Sequence, residues 1–117
     1  MNKIGKIGEE LARHYLYKKG YNILEQNYRV SFGEIDIIAE KNNCICFVEV
    51  KCRTSKKYGL PEESITKYKI NKIIRVAQLY IKQKSIEDKF FRFDIITLQF
   101  NNRILIKIKH IINAFHC

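Results

Sequence analysis

The four cysteines, Cys44, Cys46, Cys52 and Cys117, lack the paired C-x-x-C spacing of a zinc site. His14, His110 and His116 show no ligand spacing either. Neither a zinc-bound fold nor a disulfide framework is expected, and unpaired thiols fit a reducing cytoplasm. Proline occurs once, at Pro61. No run approaches the ~20 apolar residues of a membrane span. The first residues are charged and lack an apolar signal core, so export is not expected. There is no internal repeat, low-complexity segment, phosphate-binding glycine loop or nucleophile elbow. Acids are scarce, with 12 Asp+Glu against 22 Lys+Arg and a net charge of +10. That excess favours a polyanionic partner, most simply nucleic acid. What remains is a chain of 117 residues, 46% hydrophobic. It is long enough for one core and too short for two, so residues 1–117 are expected to form a single domain.

The stretch richest in chemistry runs from Gly33 to Lys51 and reads as two strands joined by Asn42-Asn43. Asparagine tolerates left-handed backbone angles, which a two-residue hairpin turn requires. Pairing Lys41 with Cys44 brings Asp36 opposite Glu49 and Glu34 opposite Lys51. Alternation then points Glu34, Asp36, Glu49 and Lys51 to one face, beside Ile38, Ile45 and Phe47. The other face carries Ile35, Ile37, Ala39, Cys46, Val48 and Val50. A strand pair apolar on both sides belongs inside a layered domain. Charged side chains on a strand usually mark a wet face, but buried carboxylates without partners are costly. Directly opposed Cβ atoms lie roughly 4.5–5.5 Å apart, and two carboxylates that close repel unless a proton or a cation intervenes. Asp36 and Glu49 are therefore candidate metal ligands. Hard oxygen donors without His or Cys suit Mg²⁺ or Mn²⁺.

Residues 3–19 read as a helix capped by Gly20, with Ile4, Ile7, Leu11 and Tyr15 at helical spacing and Ala12 and Leu16 widening the stripe. At about 100° per residue, Glu9 falls near the Ala12–Leu16 edge and can reach a site on the sheet below. An ordinary first-turn acid favoured by the helix dipole is the plainer alternative. Residues 21–30 read as a first strand. A polar loop with Lys56 and Lys57 leads to Pro61, which suits the start of a helix over residues 62–84. Ile65, Ile73, Val76, Ala77 and Tyr80 would face inward there, with Lys69 within the stripe and Lys72 at its margin. A lysine so placed either serves a site or snorkels to the edge. Residues 90–100 and 103–112 form a closing strand pair around Asn101-Asn102. Asp94 sits inside the apolar run of the first of these strands. It either supports the metal ligands, as Glu34 could, or simply pairs with Arg92 or a lysine. Lys107 and Lys109 share one face of the last strand, which reads as a solvated edge.

Asp36…Glu49-Val50-Lys51 resembles the metal-binding core of the PD-(D/E)xK nuclease superfamily, with Ile35 where proline often stands. Around it lie Gly8-Glu9-Glu10-Leu11-Ala12, Gly20-Tyr21, Asn27-Tyr28-Arg29, Gly33-Glu34-Ile35-Asp36-Ile37-Ile38, Phe47-Val48-Glu49-Val50-Lys51-Cys52-Arg53, Ala77, Arg92-Phe93-Asp94 and His110-Ile111-Ile112-Asn113-Ala114-Phe115. Together they look like the YraN-like family of uncharacterised bacterial proteins over nearly the whole chain. That family is similar in fold to the archaeal Holliday junction resolvases and is generally presumed to consist of nucleases. The resemblance implies an α/β, restriction-endonuclease-like fold. Its central mixed sheet of about five strands would be flanked by helices in the order α-β-β-β-α-β-β. It also implies Glu9 as the helix carboxylate, Asp36 and Glu49 as metal ligands, Lys51 as the catalytic lysine and Lys69 as the lysine early in the second long helix. Residue 67 is Lys where proline is usual, and Cys52 replaces a usual threonine. A homodimer is implied by the dimeric resolvases.

The function expected is Mg²⁺- or Mn²⁺-dependent endonucleolytic hydrolysis of DNA, with RNA open as a substrate and with selectivity for branched structure over sequence. The metal would bind a phosphate oxygen and acidify an attacking water. Lys51 would orient that water or steady the charge growing on phosphorus. Arg53, Lys56, Lys57, Lys69 and Lys72 would hold the phosphate backbone. The rivals are a basic nucleic-acid-binding module without catalysis and a ribosome-associated accessory. Both explain the charge, and neither explains the carboxylates.

Overall fold

The computed structural model describes residues 3–54 and 65–116. The elements are α1 (Lys3–Lys18), β1 (Asn22–Val30), β2 (Gly33–Lys41), β3 (Cys44–Arg53), α2 (Lys67–Gln83), β4 (Phe90–Asn101) and β5 (Ile104–Phe115). This is the expected α-β-β-β-α-β-β order. The strands form one mixed sheet in the spatial order β1-β2-β3-β4-β5. The β3–β4 pair is parallel, and the other neighbours are antiparallel. A parallel pair needs a long crossover, and α2 supplies it.

Two apolar layers sandwich the sheet. On one face α1 packs through Ala12 and Leu16 onto Ile37, Ala39, Cys46, Val48, Ile96 and Leu98. On the other, α2 packs through Ile73, Val76, Ala77 and Tyr80 onto Ile35, Ile38, Ile45, Phe47, Phe93 and Ile95. The anchoring edge of α1 is Ala12–Leu16, whereas Ile7, expected inside the stripe, is 40% exposed. α1 lies close against the sheet at Gly8, where an added Cβ would collide with the Sγ of Cys52. Among the described residues no helix is long and apolar enough to cross a membrane.

Both helix ends follow from local chemistry. After α1, Gly20 takes φ of 93°, its N–H bonds Tyr17 O at 3.0 Å, and the Tyr21 N–H reaches Leu16 O at 3.0 Å. That is the Schellman pattern, closed by apolar contact between Tyr21 and Leu16. α2 begins at Thr66, whose hydroxyl accepts the Lys69 N–H at 3.1 Å. Lys67 is thus the first helical position, where a proline is favoured but not needed, so its departure from the family pattern leaves the helix start intact. The helix start expected at residues 62–63 lies outside the described residues. α2 ends in a second Schellman motif, with Ser85 at φ of 51° and the Ile86 N–H on Ile81 O at 3.1 Å.

The β2–β3 hairpin turns at Asn42 and Asn43, with φ of 51° and 63°, and its register pairs Lys41 with Cys44 through to Ile37 with Val48. Positive φ at both central residues is the type I′ requirement. The second hairpin departs from expectation by one residue. Asn101 pairs with Ile104, and the turn is Asn102-Arg103, at φ of 51° and 68°. Another correction concerns β2. Ile35 packs on the α2 face together with Ile38, while Ile37 faces α1. Strict alternation cannot place residues three apart on one face, so β2 changes phase at Asp36. Opposite it in β1, Asn27 takes φ of 51° between the Gln26–Ile37 and Tyr28–Ile35 pairs.

Candidate metal and nucleic-acid site

The phase change in β2 falls where its ladder with β3 ends. Beyond Ile37–Val48 the strands part, and an unpaired Val50 N–H inside the domain would be costly. The Asp36 carboxylate takes that place, its Oδ2 accepting the Val50 N–H at 2.8 Å. Asp36 thereby lies beside Glu49, the neighbour that the hairpin arithmetic gives it, close enough for the Asp36 charge to disfavour ionisation of Glu49. Glu49 is only 5% exposed, and burial followed by the nearby Asp36 pushes its pKa up to about 8. Burial also raises Asp36, against the pull of the Val50 N–H.

Two lysines flank the pair from different elements. Lys51 Nζ stands 3.8 Å from Glu49 Oε2, and Lys69 Nζ, from the first turn of α2, stands 3.5 Å from the same oxygen. From the α1 side, Glu9 is raised by burial and then by Asp36, and the Asn27 side chain hydrogen-bonds to it. The sequence marks Asn27 only as part of the Asn27-Tyr28-Arg29 motif and assigns it no role. Its signal is the left-handed backbone that asparagine accepts, which turns its side chain towards a helix acid. Between α1 and the end of β3, Ile4, Gly5, Glu9, Val50, Cys52 and Thr54 line a cavity of about 360 Å³. Burial, and then Glu9 and Asp36, push the Cys52 thiol up to about 11. It therefore stays protonated at neutral pH and is no nucleophile.

The remaining candidates fall elsewhere. Glu34 does not meet Lys51. It pairs with Arg29 on β1, Nη2 to Oε2 at 2.9 Å, because the β2–β3 ladder stops before reaching it. Asp94 lies on the α1 face, fully buried, in a network of its own. It accepts Arg92 Nε and Nη2 at 2.9 Å each, His110 Nε2 at 2.8 Å and the Asn113 N–H at 3.0 Å. Arg92 also donates to the Tyr21 hydroxyl at 2.7 Å. Arg53 closes β3, and Lys72 lies one turn beyond Lys69 on α2. Lys56 and Lys57 lie outside the described residues.

Among the described residues no three Asp, Glu, His or Cys side chains gather as a cage for an ion. The donor set is the Asp36–Glu49 pair. That fits Mg²⁺, which is usually held by one or two carboxylates and completes its shell with waters and substrate phosphates. It does not fit a structural zinc site, which closes on four ligands.

A family model described as the uncharacterised protein family UPF0102 matches residues 8–98. The chain belongs to UPF0102. Over 114 residues it is 47% identical to a UPF0102 protein of Caldanaerobacter subterraneus, covering 96% of this chain and 93% of that one. Over 111 residues it is 52% identical to a UPF0102 protein of Persephonella marina, covering 95% and 91%. A UPF0102 protein of Clostridium botulinum strain Loch Maree is 50% identical over 114 residues, covering 96% and 93%. The YraN-like resemblance is thereby borne out. The UPF0102 match takes in Glu9, Asp36, Glu49, Lys51, Lys69 and Asp94 and stops before β5.

Proposed function

We propose that the chain is a Mg²⁺- or Mn²⁺-dependent endonuclease that hydrolyses phosphodiester bonds in DNA, selecting branched structure over sequence. The observation that carries this reading is the Asp36–Glu49 pair, a half-buried and a buried carboxylate crowded at a splayed strand end. A fold built for stability alone would not place them together. When bound, the metal supplies Lewis acidity to a phosphate oxygen and to the attacking water. Asp36, fixed by the Val50 N–H, and Glu49 hold it. Lys51, 3.8 Å from Glu49 Oε2, is placed to orient the water and to steady negative charge on phosphorus. Lys69, at 3.5 Å from the same oxygen, keeps Glu49 aimed and draws phosphate towards the pair. Glu9 approaches from α1 and can take a proton from water or support a second ion. Symmetric cutting of two strands requires two such sites, so the reading carries a homodimer.

A basic module that binds nucleic acid without cutting it accounts for the +10 charge. It leaves the carboxylate pair, which repels phosphate unless metal intervenes, without a role. The deciding experiment is a cleavage screen over duplex, flap, splayed and four-way DNA with Mg²⁺, Mn²⁺ or chelator. Metal-dependent products that disappear in Asp36→Asn and Glu49→Gln support the nuclease. Retarded but uncut DNA under every metal condition would assign the chain to the binding class.

A further inference from the structure

Three consecutive positions of one α2 ridge, Lys69, Lys72 and Arg75, lead away from the carboxylate pair towards the β1–β2 turn. They follow the i, i+3, i+6 row of a helix surface and span about 9 Å of its axis. From Lys67 to Gln83 the helix contains no aspartate or glutamate. Solvated helix faces commonly interleave opposite charges at i, i+4, and like charges at that spacing repel. Lys67 and Lys69 stand in the first turn, where the dipole disfavours cations, and Lys72 and Arg75 follow in the same half of the helix. Two of these cations rest on aromatic rings. Lys72 Nζ stands 5.1 Å from the centroid of the Tyr68 ring, and the Arg75 guanidinium stands 4.8 Å from that of Phe32. Phe32 belongs to the β1–β2 turn and packs against the α2-side core. A cation held over a ring keeps its charge and spends less side-chain entropy when it meets an anion.

We propose that this ridge is the path of one nucleic-acid strand as it leaves the carboxylate pair, with Lys72 and Arg75 each holding a backbone phosphate. The proposal rests on the nucleic-acid reading above and specifies how the strand lies. Successive phosphates of one strand are about 3.4 Å apart along the duplex axis, so the ridge spans two to three of them. The contacts are to phosphate and fix direction without reading bases. Arg75 was not among the binding residues expected from sequence. The ring of Phe32 that holds it comes from a turn more than forty residues earlier in the chain.

The test is fluorescence anisotropy of the full chain in chelator, so that cleavage is silent, with a labelled duplex, a splayed duplex and a single strand. Lys72→Ala/Arg75→Ala is compared with the charge-matched control Lys18→Ala/Lys107→Ala, whose lysines are exposed on α1 and on β5. The ridge variant is expected to bind about tenfold more weakly. The slope of log K against log[salt] should become shallower by about 2. The control should stay close to the parent. Equal losses in the two variants would overturn the path while leaving nucleic-acid binding in place. A parent chain that binds none of the three probes would overturn both the path and the reading beneath it. In a parallel co-sedimentation with phosphatidylglycerol-containing vesicles, loss of vesicle binding by the ridge variant with its oligonucleotide binding intact would reassign the ridge to a membrane surface and overturn the path as well.

Discussion

The sheet buries acid in two places, on neighbouring strands and opposite faces, and treats it in opposite ways. Asp94 is 0% exposed and satisfied by a guanidinium, an imidazole and a backbone N–H. Burial alone would raise its pKa, but the bonds from His110, Arg92 and Asn113 outweigh that and hold it below the ordinary value. Glu49 is almost as deeply buried, and its nearest acidic neighbour is Asp36, with two lysines only at the edge of contact. One acid is held by close hydrogen bonds, and the other meets only two lysines, at 3.5 and 3.8 Å. The difference teaches that burial of charge does not by itself mark a function. What marks it is burial without sufficient compensation.

Removing the satisfied acid should have the largest effect. Asp94→Asn leaves Arg92 facing a neutral amide inside the fold, and breaking a buried pair typically costs about 3–5 kcal/mol. Chemical denaturation checks this, and a loss under about 1 kcal/mol would remove the stability role from Asp94. Asp36→Asn should do the reverse in metal-free protein, holding or raising the Tm, because the amide oxygen can still accept the Val50 N–H. Asp36→Ala leaves that N–H without its partner and should cost about 1–3 kcal/mol. Equal stability of the alanine and asparagine variants would remove the anchoring role from the Val50 bond.

The pH dependence sharpens the same contrast. Glu49 has its folded pKa raised from 4.5 to about 8, so the folded state binds the proton more tightly than the unfolded chain does. Its contribution is fully present below the unfolded value and is lost as pH rises through the folded one. Metal-free protein should therefore lose stability from about pH 5 to pH 8, and Glu49→Gln should flatten that slope. Asp94 acts oppositely. Its folded pKa is depressed below 3.8, so its contribution is present above that value and is lost only on acidification. A wild-type Tm that rises across the neutral range would reverse the assignment of Glu49. The smallest effect belongs to Arg29→Ala. Its ion pair with Glu34 is 68% and 37% exposed, and losing it should cost less than about 1 kcal/mol in urea titration.

Much of this was legible in the sequence because it rests on short-range patterns. The Asn42-Asn43 turn fixed the register of β2 against β3, and that register brought Asp36 beside Glu49. Gly20 ended α1 where expected. The failures arose where a residue adopts a backbone its type disfavours. Arg103 occupies a left-handed conformation that asparagine or glycine would have advertised. Ile35 was assigned to the wrong face because alternation assumes an unbroken strand, and β2 changes phase at Asp36. His110 gave no signal because it meets Asp94 across the β4–β5 hairpin, not along the chain. The UPF0102 match identified the family and left its chemistry to the geometry.

We propose that Asp36 and Glu49 together take a divalent cation, whereas Asp94 serves the fold alone. Thermal unfolding of the wild type, Asp36→Asn and Glu49→Gln across a Mn²⁺ titration at pH 7.5 tests it most directly. A ligand that binds only the native state stabilises by about 2.7 kcal/mol at one hundred times its Kd. The wild-type Tm should therefore climb with Mn²⁺, while the Tm of both variants stays flat. A wild-type Tm indifferent to Mn²⁺, or an equal climb in all three proteins, would contradict the account.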